Sequence, residues 1–145
     1  MKAKLALAVV ALITGLGGTA VVHLDAATPP TSVVVWRTGR DFLGHSYGLA
    51  PVTEVNAAVV TKLWTTVHQL PATHYSWCPA AQSLVRYNIA FRRGASIIKE
   101  YRVAPDGCQL LINTQNRAQQ FQTNTQFWKQ VSAILHVSNI HHLPR

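Results

Sequence analysis

Between Val85 and Arg92 apolar and polar side chains alternate. Val85, Tyr87, Ile89 and Phe91 fall on one side of an extended chain, with Arg86, Asn88, Ala90 and Arg92 on the other. A period of two over this length predicts a half-buried strand. Ile97, Tyr101 and Val103 continue the alternation after Arg92-Arg93-Gly94, so a second strand and a hairpin are expected. A three-residue loop with Gly94 in the left-handed conformation predicts Ile89 opposite Ile97 and Val85 opposite Tyr101, with Arg86 facing Glu100 on the outer side. A two-residue Arg93-Gly94 turn would mix the two faces. Lys99 breaks the inner pattern and is expected at an edge or beside Tyr87.

Elsewhere the period lengthens. Val60, Leu63, Trp64 and Val67 mark one face of a helix that Asn56 opens and that runs to about Gln69, before Leu70-Pro71. Phe127, Trp128, Val131, Ile134 and Leu135 mark a second helix, capped by Thr123 or Asn124, with Gln126 completing a capping box if Thr123 is the cap. Short strands are expected at 33–37, 52–55 and 108–113. Residues 38–50, 72–82 and 114–122 read as loops, the first Gly-rich and the last rich in Gln and Asn. The order β-β-α-β-β-β-α contains no repeat. It predicts an α+β domain: an antiparallel sheet of about five strands, two amphipathic helices packed on one face, and one disulfide. The other sheet face is expected to be open, bearing Arg86, Asn88, Arg92, Ile98, Glu100 and Arg102.

The amino-terminal segment has a different character. Lys2 and Lys4 precede an uncharged run from Leu5 to Leu24, whose twenty residues would span about 30 Å as a helix, enough to cross a bilayer. Residues 1–27 are therefore read as a signal peptide, cleaved after Ala26 or Ala27, or as a retained membrane anchor with its lysines in the cytoplasm. Residues 28–32, Thr-Pro-Pro-Thr-Ser, read as a stiff linker. A single domain over 33–137 and a tail over 138–145 follow. The expected location is extracellular, secreted or held on the outer face of the cytoplasmic membrane.

Charge sharpens this picture. The 145 residues carry 13 Lys and Arg against 5 Asp and Glu, for a formal +8, although only 12% of residues are charged against about 25% in ordinary domains. Such an imbalance favours anionic partners or surfaces. Arg86, Arg92 and Arg102 are the candidate basic face. Outside the cell, cell-wall polymers and lipid headgroups are nearer anions than nucleic acid. The chain's two cysteines, Cys78 and Cys108, are expected to pair in an oxidising compartment, closing a loop of about 30 residues worth roughly 3–4 kcal/mol. The Pro105-Asp106-Gly107 turn would aim Cys108 at the start of its strand.

The succession Leu70-Pro71, Cys78-Pro79, Tyr87-x-x-x-Phe91, Gly107-Cys108 and Phe127-Trp128 resembles small exported proteins of Gram-positive bacteria, secreted or membrane-anchored, with no assigned activity. The likeness covers about residues 50–136. It implies export, the disulfide and one compact domain, and it brings no catalytic residue.

Sites of chemistry are sparse in the sequence. There is no G-x-S-x-G, phosphate loop or dinucleotide fingerprint, and Ser46 beside His45 is only a dipeptide. Glu54 and Glu100 are the only glutamates, which leaves little for paired-carboxylate hydrolysis. His136, His141 and His142 lack nearby carboxylates, so no metal site is expected. His68 suits a helix end, and His45 and His74 fall in loops. No catalytic residue and no cofactor are expected. Trp36, Tyr47, Tyr75 and Trp77 form a candidate aromatic platform for a sugar or a partner. The leading expectation is a non-enzymatic domain on the anionic envelope or on a protein partner. The alternative is an inhibitor or modulator of a secreted enzyme acting through residues 38–50, with an unrecognised hydrolase behind both.

Overall fold

The computed structural model describes residues 28–39, 48–75 and 85–138. Seven strands and two helices follow one another along the chain: β1 (Ser32–Thr38), β2 (Leu49–Glu54), α1 (Ala57–Gln69), β3 (Ala72–Thr73), β4 (Arg86–Arg93), β5 (Ser96–Val103), β6 (Leu110–Asn113), β7 (Gln120–Gln122) and α2 (Thr125–Leu135). The strands form one antiparallel sheet in the order β2-β1-β4-β5-β6-β7-β3. The fold is α+β, with seven strands rather than the expected five. The two additions are β3 and β7, which fall in stretches read as loops. Each is too short to show a period, and pairing makes them strands: Phe121 lies opposite Leu111 on one side and Ala72 on the other.

Both helices were anticipated by their spacing. The Asn56 side chain accepts from the Ala58 and Val59 amides at 3.0 and 3.4 Å, taking up donors that the first turn leaves unpaired. Asn124 caps α2 by accepting from Phe127 N at 2.9 Å. Thr123 serves otherwise: its hydroxyl donates to the Gln109 carbonyl at 2.7 Å and accepts from the Trp128 indole at 3.1 Å. The helices share one face of the sheet. Trp64 of α1 meets Phe91 with ring centroids 4.9 Å apart, and Trp128 of α2 meets Tyr87 at 5.9 Å. Phe91 and Tyr87 lie on the same side of β4, because they are an even number of residues apart. Val33, Val35, Val60, Leu63, Val67, Ile89, Leu111, Phe127, Val131 and Ile134 fill the space between the layers. Helix α1 joins β2 on one sheet edge to β3 on the other, so it must cross the inner face, which explains its buried stripe.

The β4–β5 register differs from the expected one. Arg93 pairs with Ser96 around a two-residue Gly94-Ala95 turn, and Phe91 pairs with Lys99, so Ile98 is an extra residue in β5. Gly94 has φ 56°, the left-handed region that a side chain resists. The two-residue turn would put Tyr101 and Val103 on the wrong face, and the bulge restores them. Ile89 therefore faces Tyr101, not Ile97, and Ala90 rather than Arg86 faces Glu100. Ile97 is displaced to the outer side opposite Arg92 and is 43% exposed.

The outer face is only partly open. Arg102 is exposed, whereas Val34, Asn88 and Ala90 are buried. Residues 28–31 are docked rather than free. Pro30 is buried, Thr31 N donates to Arg92 O at 2.8 Å, and Gly94 N donates to the Thr31 hydroxyl at 3.2 Å. The Gln- and Asn-rich stretch is likewise ordered: the buried Asn113 side chain accepts from Gln115 N at 2.9 Å and donates to Gln119 Oε1 at 2.7 Å. An amide with several local partners holds a polar loop as an apolar contact would not.

Candidate functional site

Alternation along β4 and the register with β5 put Arg86, Arg92 and Arg102 on the outer face, as the sequence implies. They do not form one cluster. Arg86 and Arg92 lie six residues apart on β4, about 20 Å along the strand. Arg102 lies opposite Asn88 and donates from Nε to its Oδ1 at 3.2 Å, while the Asn88 amide donates to the Thr38 hydroxyl at 3.1 Å. Arg86 donates from Nη1 to Val85 O at 2.7 Å. Arg93 and Lys99 belong to the same hairpin, and the Arg93 Nη2 donates to the Thr28 carbonyl. The Arg92-Arg93 pair beside a glycine turn was a usable signal for this basic tip.

The proposed aromatic platform is not assembled in its described half. Trp36 is half-buried on the outer face of β1, and Tyr75 follows β3, 47% exposed. Their strands are five positions apart in the sheet, about 24 Å at the usual strand spacing. Tyr47 and Trp77 lie outside the described residues. Other rings do connect: Trp64, Phe91, Tyr101 and Phe121 form a chain of edge contacts through the core, with successive centroids 4.9, 6.2 and 6.3 Å apart. This chain stabilises the two layers and offers no open stacking surface.

A charged side chain, that of Arg37, enters the apolar interior. Arg37 is buried on the inner side of β1, opposite Tyr87, and donates a hydrogen bond to its hydroxyl. Burial holds the Tyr87 hydroxyl above the ordinary tyrosine value of 10.0, while the Arg37 charge and hydrogen bond pull the other way. Burial alone raises Tyr101. Both phenols bind their protons more tightly folded than unfolded. The stability they contribute is thus intact below pH 10.0 and falls as the pH rises through that value towards their folded-state ones. A spectrophotometric titration should show late-ionising phenols, with Tyr87→Phe and Tyr101→Phe each removing one late phase. Four phenols titrating together near 10.0 would count against it.

Cys108 is half-buried and disulfide-bonded; Cys78, the other cysteine of the chain, lies outside the described residues. The described histidines are dispersed. His68 Nδ1 is 2.8 Å from the Trp64 carbonyl and its ring lies on Trp64, His74 is exposed, and His136 ends α2 in the left-handed conformation. Among the described residues no group of three or more His, Cys, Asp or Glu could hold a metal ion. His45, His141 and His142 lie outside them, as does most of the 38–50 loop. No family model, no curated protein and no solved structure matches this chain.

Proposed function

We propose that the chain is an exported, non-enzymatic domain that associates with anionic material of the cell envelope through its central hairpin. The observation that carries this reading is the distribution of charge. Of nine lysines and arginines among the described residues, five lie on β4 and β5 (Arg86, Arg92, Arg93, Lys99 and Arg102), and Glu100 is the one carboxylate there. A basic strand pair at the centre of a sheet presents its charges in fixed positions, so counter-ions and polyanions meet a patterned surface. The half-cystine at Cys108 supports export, because disulfides persist in oxidising compartments. Cys78 is its proposed partner, and the apolar run from Leu5 to Leu24 is the proposed export signal or anchor.

The test is binding of the chain without residues 1–27, so that no apolar run can hold it, to washed envelope fragments as salt rises from about 0.05 to 0.5 M, where the screening length shortens from roughly 14 to 4 Å. Retention should fall steeply. Arg92→Gln and Arg102→Gln should lower the salt needed for release, whereas Lys62→Gln and Lys129→Gln, exposed on the helices, should change it little. Salt-independent retention, or equal losses from the helix variants, would reject the hairpin as the contact.

A further inference from the structure

The point at which the apolar amino-terminal run meets the domain coincides with a basic, apolar-tipped end of the sheet. The register places the start of β1, the end of β2 and the β4–β5 turn at one end, since Ser32 pairs with Arg92 and Val33 with Glu54. The β6–β7 loop leaves β6 towards the same end, because β6 is antiparallel to β5. Arg92, Arg93, Lys99 and Arg117 belong to these elements. Glu54 and Glu100 are the acids of these elements, and the Glu54 Oε1 accepts from Asn56 N at 2.7 Å. Three large apolar residues are exposed among the described ones, and two of them sit at this end: Val55 at 69% and Ile97 at 43%. Ile97 is the cross-strand partner of Arg92, so an apolar side chain and a cation stand side by side at the tip.

The chain enters here and is held here. Thr28 O accepts from Arg93, and Thr31 is tied to Arg92 O and Gly94 N at 2.8 and 3.2 Å. Leu24 closes the uncharged run, and the four steps to Thr28 reach at most about 14 Å even when fully extended. The headgroup zone is itself about 5–8 Å deep, and screening acts over about 8–10 Å. A tether this short cannot let the tip diffuse away from a bilayer that holds residues 5–24.

We propose that residues 5–24 remain in the membrane and that the hairpin-tip end rests on anionic lipid headgroups, with Ile97 and Val55 at the interface. The inference builds on the export reading above, and it adds an orientation. The opposite end, with the start of α2 and the 104–109 loop, then points away from the lipid. Basic residues near an anionic leaflet and apolar side chains at its boundary favour the same pose.

The experiment uses the full chain in nanodiscs of phosphatidylcholine, with and without phosphatidylglycerol. Spin labels are placed at Ser96→Cys near the tip and at Gln126→Cys on the first turn of α2, both exposed positions. The existing disulfide leaves Cys108 unreactive. The label at 96 should be relaxed by membrane-dissolved oxygen and the one at 126 by an aqueous nickel complex, more so with phosphatidylglycerol. Arg92→Gln and Arg117→Gln should each weaken the tip contact about fivefold, and Ile97→Ser should move label 96 towards water. An unchanged signal at 126 shows that these variants remain folded. Equal water exposure at 96 and 126 in anionic discs would overturn the orientation while leaving export intact. Mature protein recovered from cells without residues 5–24 would overturn the anchor, and a chain found reduced in the cytosol would overturn the export reading as well.

Discussion

Phe91→Ala should lower the stability of the domain by about 3–5 kcal/mol, among the largest losses open to a single substitution here. Phe91 is fully buried on β4, the third strand in a sheet of seven. Its ring meets Trp64 of α1 at 4.9 Å and Tyr101 of β5 at 6.2 Å, both edge-on, so it joins the helix layer to the sheet centre. Truncation removes transfer energy and leaves a cavity walled by two bulky rings. Those rings are held by separate elements and cannot close in together, so little of the loss is recovered by relaxation. Phe91→Leu, which keeps much of the volume, should lose considerably less. Denaturant unfolding is the measurement, with a lower midpoint and an unchanged slope expected. A loss below about 1 kcal/mol for the alanine variant would mean that Phe91 is not at the junction of the layers.

The same residue shows what could and could not be read from the chain. The alternation Tyr87, Ile89, Phe91 and the helical spacing of Val60, Leu63, Trp64 and Val67 fix which side chains turn inward, because burial of one face selects that period. Those signals gave the fold class and both caps' approximate places. The register of β4 with β5 was not legible. A two-residue turn plus a bulge at Ile98 turns Lys99, Tyr101 and Val103 inward as a longer loop would, but with different partners and with Ile97 on the outer side. Lys99 was the clue, since it sits opposite Phe91 on the inner side yet is only half-buried, as a long side chain that reaches water would be. Strands β3 and β7 were hidden because two and three residues cannot display a period, and they exist only through their neighbours. Of the candidate surfaces, the outward parity of Arg86, Arg92 and Arg102 was local and legible. The relation of Trp36 to Tyr75 was not, because the α1 crossover, a matter of topology, decides it.

Reducing the disulfide should cost the domain about 3–4 kcal/mol if Cys108 is joined to Cys78, since the bond would then close a loop of about 30 residues. The effect is expected to be large because of what that loop contains and where Cys108 stands. Residues 78 to 108 include β4, β5 and their turn, the strands that carry Tyr87, Ile89, Phe91, Tyr101 and Val103 into the core. In the unfolded chain the bond would restrict the segment that builds the middle of the sheet, and in the folded chain it adds little further constraint. Cys108 also lies beside the joint between β6, β7 and α2. Its carbonyl accepts from the Gln122 side chain at 3.0 Å, and the neighbouring Gln109 carbonyl accepts from Thr123. Thr123 in turn accepts from the Trp128 indole at 3.1 Å, so displacement of Cys108 would be felt at the start of α2. Melting before and after reduction should show a fall on the order of 10–20 °C for a domain of this size. Alkylation should label two thiols after reduction and none before, and the variant with both cysteines replaced should melt with the reduced protein and no longer respond to reductant. Unchanged melting on complete reduction would show that the β4–β5 hairpin closes on its own packing, and a mass doubled before reduction would place the bond between two chains instead of within one.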